Sequence, residues 1–99
     1  MIIVNLTLSF ADNLQQSALE WIKQEYIPLL NACPLVTSSD LFQVNAQQGA
    51  DDCFALQIRF NTEESYTMFE KAYQNDFESA LFAKFTNQFG MFKTILRSI

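Results

Sequence analysis

From Ile2 to Phe10 the even positions Ile2, Val4, Leu6, Leu8 and Phe10 are apolar, while the odd positions after Ile3 are Asn5, Thr7 and Ser9. Alternation of this kind sends successive side chains to opposite sides of a pleated strand, so the stretch predicts a strand with one face on the core. The period then changes. Leu14, Ala18, Trp21, Ile22, Tyr26 and Leu29 recur at the three- and four-residue steps of one helix side, with Asp12 as its cap and Gln15 reaching back as the capping-box partner. Pro28 has no amide hydrogen, and in a regular helix its ring collides with the carbonyl of Gln24. The helix is therefore expected to end or kink near Tyr26, with a short turn through Leu30 to Cys33 that Pro34 closes.

Further along, Phe42, Val44 and Ala46 alternate with Gln43 and Asn45, a ragged second strand, and Gln47 to Asp52 with Gly49 reads as a hairpin connection. Phe54, Leu56, Ile58 and Phe60 alternate with Ala55, Gln57 and Arg59, which predicts a third strand as clear as the first. Asn61 ahead of Thr62-Glu63-Glu64 supplies a cap, with acids in the first turn to complement the helix dipole. Tyr66, Phe69, Tyr73, Phe77, Leu81, Phe85 and Phe89 continue the helical spacing, and Asn75-Asp76 is a cap pair that splits the run in two. Gly90 suits the left-handed position after a helix, and Met91 to Ile99 follows as a last strand with apolar residues on both faces.

Strand, helix, strand, strand, helix, strand is the order of an α+β, ferredoxin-like βαββαβ fold: an antiparallel sheet of order four-one-three-two with both helices on one face. Residues 1–99 are then a single domain, and the helices cover the face of Val4, Leu6, Leu8, Leu56 and Ile58. The other face displays Ile3, Asn5, Thr7, Ser9, Gln57 and Arg59. Apolar residues on both sides of the final strand, Met91, Ile95 and Ile99 against Phe92 and Leu96, leave one apolar set with no helix to cover it. A homodimer joined through the non-helical sheet face is the expected cover.

Composition narrows the partners. The chain carries 11 acidic and 6 basic residues, a formal charge of −5, which repels phosphate backbones, so no nucleic acid is expected as a partner. The RNA-recognition version of this topology is also ruled against by Asp51-Asp52-Cys53-Phe54-Ala55-Leu56-Gln57-Ile58, which lacks the basic, glycine and aromatic pattern that stacks bases. No apolar span has transmembrane length, and Asn5, Thr7 and Ser9 interrupt the opening apolar run before a signal core forms, so no membrane association is expected. Cys33 and Cys53 fit neither a redox nor a zinc spacing and the chain has 0 histidines, so no metal and no cofactor is expected, and a reduced, cytoplasmic protein is the default.

The opening Met1-Ile2-Ile3-Val4-Asn5, the segment Trp21-Ile22-Lys23-Gln24-Glu25-Tyr26-Ile27-Pro28 and the closing Phe89-Gly90-Met91-Phe92-Lys93-Thr94-Ile95-Leu96 resemble the small bacterial domain-of-unknown-function family 4286. The resemblance runs through nearly the whole chain in order. It implies a dimeric α/β barrel, in which two ferredoxin-like sheets meet face to face, and it implies no activity. Where the family pattern leads one to expect a histidine before Ile27-Pro28, this chain has Tyr26.

Two function classes follow. In the first the chain is a dimeric, non-enzymatic module that binds a small-molecule ligand or a protein partner, with Asn5, Gln57 and Arg59 offering hydrogen bonds and one cation to an anionic or carbonyl ligand. In the second it is a cofactor-independent enzyme, oxygenase- or isomerase-like, with its site between sheet and helices. Asn5 and Arg59 would then polarise an oxygen, and Tyr26 or a desolvated Glu25 beside Trp21 would move a proton. Trp21 is a ligand contact in that reading, and otherwise a core anchor covered by the region around Ile27 and Leu30. No residue is assigned as catalytic.

Overall fold

A computed structural model describes residues 1–44, 53–86 and 88–99. Strand β1, Ile2–Phe10, buries every even residue and leaves every odd one part-exposed, as its alternation requires. Helix α1, Gln15–Trp21, runs through a π-turn, Ile22–Tyr26, into α2, Ile27–Ala32. Strands β2, Ser38–Val44, and β3, Cys53–Phe60, follow, then helices α3, Glu63–Ala72, and α4, Gln74–Lys84, and strand β4, Phe89–Arg97. The strands form an antiparallel sheet of order β2-β3-β1-β4. That is the ferredoxin-like α+β architecture expected from the order of elements, with the helices on the face of Val4, Leu6, Leu8, Leu56 and Ile58. The expected hairpin connection at Gln47 to Asp52 lies outside the described residues, as do Asn45 and Ala46.

The first helical arm departs from expectation at its start, and the irregularity expected near Tyr26 takes the form of a π-turn through which the arm continues. Asp12 does not cap it: Leu14 precedes α1 without a side-chain bond, and the amides of Leu14 and Gln15 both donate to the carbonyl of Ala11, at 2.8 and 3.0 Å. Nor does Pro28 stop it. In the π-turn the Ile27 amide donates to the carbonyl of Ile22, five residues back, and Pro28 then stands in the first turn of α2, where no amide donor is asked of it. The widened turn also changes which side chains face the sheet. Ala18, Ile22, Tyr26 and Leu30 are all buried at a constant spacing of four, which in an unbroken α-helix would drift by about 40° per step. Leu29, expected on the packed side, is instead turned outward and 58% exposed. The arm ends at Cys33, which is extended at φ −73°, ψ 124°, the geometry that Pro34 imposes on the residue before it.

The second arm begins one residue later than its acids suggested, with Thr62 rather than Asn61 as the cap: the Ser65 amide donates to its Oγ1 at 3.1 Å. The break falls at Tyr73, φ −126° and ψ −28°, and not at Asn75-Asp76, which lies inside the first turn of α4. Apart from Tyr73, which is 42% exposed, the aromatic series belongs to the core or packs against it. Phe69 lies 5.0 Å from Phe60 and 5.6 Å from Phe77 between ring centroids, and Phe85 packs 5.3 Å from both Phe10 and Trp21. Trp21 is more than half buried, with its ring against those of Tyr26 and Phe85. Gly90 is no helix cap. It sits within β4 opposite Ser9, where a Cβ would come within 2.9 Å of the serine Oγ.

Candidate functional site

The register of the sheet places the polar residues of its open face in rows. Ser38, Arg59, Ile3 and Leu96 share one row across β2, β3, β1 and β4; Asp40, Gln57, Asn5 and Thr94 form the next; Phe42, Ala55, Thr7 and Phe92 form the third. Asn5, Gln57 and Arg59 thus come together on adjacent strands. Asp40, which the alternation did not single out, and Phe42, which it placed with Val44 without assigning a face, complete the group. Arg59 Nη1 donates to Asp40 Oδ2 at 2.6 Å and its Nη2 donates to Gln57 Oε1 at 2.9 Å, while the guanidinium carbon sits 5.9 Å from the centre of the Phe42 ring. Asn5 Nδ2 donates to Thr7 Oγ1 at 3.2 Å. The expected lone cation is therefore matched by a carboxylate, and the strip is charge-compensated.

Large apolar side chains flank this strip on the same face: Phe42 is 45% exposed, Phe92 70% and Leu96 42%. Of the two apolar sets on the last strand, it is Phe92 and Leu96 that share the open face with Ile3; Met91 and Ile95 point to the helices, and Ile99 lies beyond the strand. The open face is thus an apolar frame around an internally bonded polar strip. Asp40 and Phe42 could have been placed beside Arg59 from sequence only by fixing the register of β2 against β3.

The remaining candidates lie on the other side of the sheet. Tyr26 is buried, and its hydroxyl donates to the carbonyl of Phe77 at 2.8 Å. Burial first, and the nearby charge of Glu78 second, push that hydroxyl well above the ordinary tyrosine range, so it holds its proton. Tyr26 is held as a hydrogen-bond donor inside the helical layer. Glu25 is exposed on the outer side of its helix, where the sequence led one to expect a desolvated carboxylate beside Trp21. Neither residue meets Asn5 or Arg59, and the space between sheet and helices is packed with Leu6, Leu8, Ile22, Tyr26, Leu30 and Leu81. Among the described residues no group of Cys, Asp and Glu is arranged to hold a metal ion. No described helix is long and apolar enough to cross a membrane.

The tyrosines set an alkaline limit. Tyr66, whose hydroxyl donates to Glu70 Oε2 at 2.8 Å, is also raised, by desolvation and by that carboxylate. A tyrosine whose folded pKa lies above its unfolded value stabilises the fold fully below about pH 10 and loses that contribution as pH rises toward the folded value. Denaturation midpoints should therefore be flat to about pH 9.5 and fall above it, and Tyr26→Phe should flatten the fall. An alkaline limb that Tyr26→Phe leaves unchanged would show that Tyr26 does not set it.

The chain belongs to the family described as Domain of unknown function (DUF4286), whose model matches residues 1–99. No curated protein sequence matches it. Among solved structures it is similar in fold to an ethyl tert-butyl ether d (ethd) family protein from Bacillus halodurans, with TM-score 0.72, 12% identity and 100% of both chains covered. HapK from Hahella chejuensis gives TM-score 0.71 and 15% identity, covering 100% of this chain and 93% of that one. Hydroxynitrile lyase from Passiflora edulis gives TM-score 0.62 and 13% identity, covering 99% and 95%.

Proposed function

We propose that this member of a family of unknown function is a homodimeric binding module whose two open sheet faces meet and enclose a small, uncharged polar ligand. The observation that carries the reading is the exposure of Phe42, Phe92 and Leu96 around the Asp40–Arg59–Gln57 strip. Exposed apolar surface forgoes roughly 25 cal/mol per Å² of burial, and a second copy related by two-fold symmetry offers the matching face. The strip tolerates burial because Arg59 is already answered by Asp40 and Gln57. For the same reason its preference shifts from an anion to a neutral carbonyl or amide, since an anion would stand beside the Asp40 carboxylate.

The enzyme reading has less support. A hydroxynitrile lyase shares the fold at 13% identity, and a fold alone hosts many chemistries. The proton relay that reading needs would join Asn5 and Arg59 to Tyr26 or Glu25, across the thickness of the sheet.

Light scattering at micromolar concentration tests the module, with native mass spectrometry of the protein as purified from cells. A dimer mass, with a small neutral compound retained on it, is expected. A monomer mass would overturn the proposal, and a dimer retaining only anions would overturn its ligand class.

A further inference from the structure

The helical layer carries a second depression, independent of the open sheet face. Leu29 of α2, Tyr73 at the helix break, and Asp76, Phe77 and Ala80 of α4 line a space of about 270 Å³ that opens to solvent on one side. Both of the local irregularities build it. The π-turn rolls Leu29 out of the core, and the break at Tyr73 restarts α4 on a new course, so that Leu29 and Tyr73 stand as facing, exposed apolar walls. Phe77 forms the floor and is held from beneath by Tyr26, whose hydroxyl bonds the Phe77 carbonyl at 2.8 Å. Ala80, one turn beyond Asp76 and Phe77, is the small residue that keeps the space open.

Asp76 is the only charged group in this lining, and it makes no hydrogen bond or ion pair among the described residues; the ion pairs there join Arg59 to Asp40, Lys93 to Glu78 and Arg97 to Glu63. We propose that this depression binds a small amine: a single ring or branched aliphatic body between Leu29, Tyr73 and Phe77, with its ammonium on the Asp76 carboxylate. Charge complementarity selects the cation, and the net charge of −5 favours its approach. Volume sets the size. A dry cavity of about 150 Å³ accommodates benzene, so the space here has room for one ring with a short arm.

Three probes with the same phenylethyl body separate the contributions: 2-phenylethylammonium, 2-phenylethanol and 3-phenylpropanoate, titrated into the full chain and followed by amide chemical shifts. The amine is expected to bind with a Kd of about 1 mM, shifting amides around Leu29, Tyr73 and Ala80. At a partly open rim the ion pair is worth about a fivefold preference over the alcohol, and the carboxylate should bind most weakly. Asp76→Asn should make amine and alcohol equal. Ala80→Leu, at an exposed helical position, should abolish both without changing the fold. Equal affinities for amine and alcohol in the unaltered protein, shifts confined to the sheet face, or binding that survives Ala80→Leu would each overturn the proposal.

Discussion

Tyr26→Ala is expected to unfold much of the protein at room temperature, while Tyr26→Phe folds and loses only about 1 kcal/mol. Tyr26 is among the largest side chains with almost no exposed surface, and its ring packs 5.5 Å from Trp21 and 5.9 Å from Phe77 between centroids. Removing a buried ring of this size costs about 3 to 5 kcal/mol when the neighbours cannot collapse into the space. Here collapse is opposed from both sides, because the π-turn fixes the helix below and the Tyr73 break fixes the helix above. A domain of this size is stable by about 5 to 15 kcal/mol, so the alanine variant approaches the limit. The phenylalanine variant keeps the ring and loses one bond to a carbonyl inside α4, hence the smaller effect. Urea denaturation of the two variants measures the contrast. Equal losses would show that the hydroxyl, not the ring, holds the helices together. Loss of ligand binding in a Tyr26→Phe protein of normal stability would return Tyr26 to the functional residues.

How much of this was legible in the sequence depended on which information each feature used. β1 and β3 could be read residue by residue, because a strand that buries one face writes its period directly into the chain, and Asn5, Gln57 and Arg59 were assigned to the open face by parity alone. Asp40 escapes the pattern, and Phe42 is found by its alternation but not given a face, because their place beside Arg59 depends on register between strands, which no single strand's alternation contains. Pro28 marks where the arm turns irregular, but not that it continues. The rule that proline ends a helix assumes α-helical hydrogen bonding, and a π-turn removes the conflict at a site where core contacts of Ile22, Tyr26 and Leu30 favour continuing the arm. Local capping preference points to Asn75-Asp76 as the break, but the break falls at Tyr73, where Phe69 and Phe77 pack on either side. Trp21, Glu25 and Tyr26 sit close in sequence, and the helix separates them: Glu25 faces water while Tyr26 faces the core.

Phe92→Asp is expected to convert the proposed dimer into a folded monomer. The ring is 70% exposed within one chain, lies on the open face of edge strand β4, and shares its row with Thr7, Ala55 and Phe42. Thr7 and Ala55 are small, so the row is low in the middle and raised at its ends, a profile into which an aromatic side chain of a second copy fits. An aromatic anchor that fills a depression on its partner contributes about 2 kcal/mol or more, and in a two-fold dimer every substitution acts twice. The expected loss of about 4 kcal/mol raises the dissociation constant roughly a thousandfold, before counting the penalty of burying two unpaired carboxylates. Because Phe92 contributes little to the core of its own chain, circular dichroism should be unchanged. Phe82→Asp serves as the control: Phe82 is also exposed, but on α4, away from the open face, and its variant should keep the dimer mass. If Phe82→Asp dissociates the protein and Phe92→Asp does not, the copies meet through their helices, the polar strip of Asp40, Gln57 and Arg59 faces water, and the ligand site proposed between the sheets has no second wall.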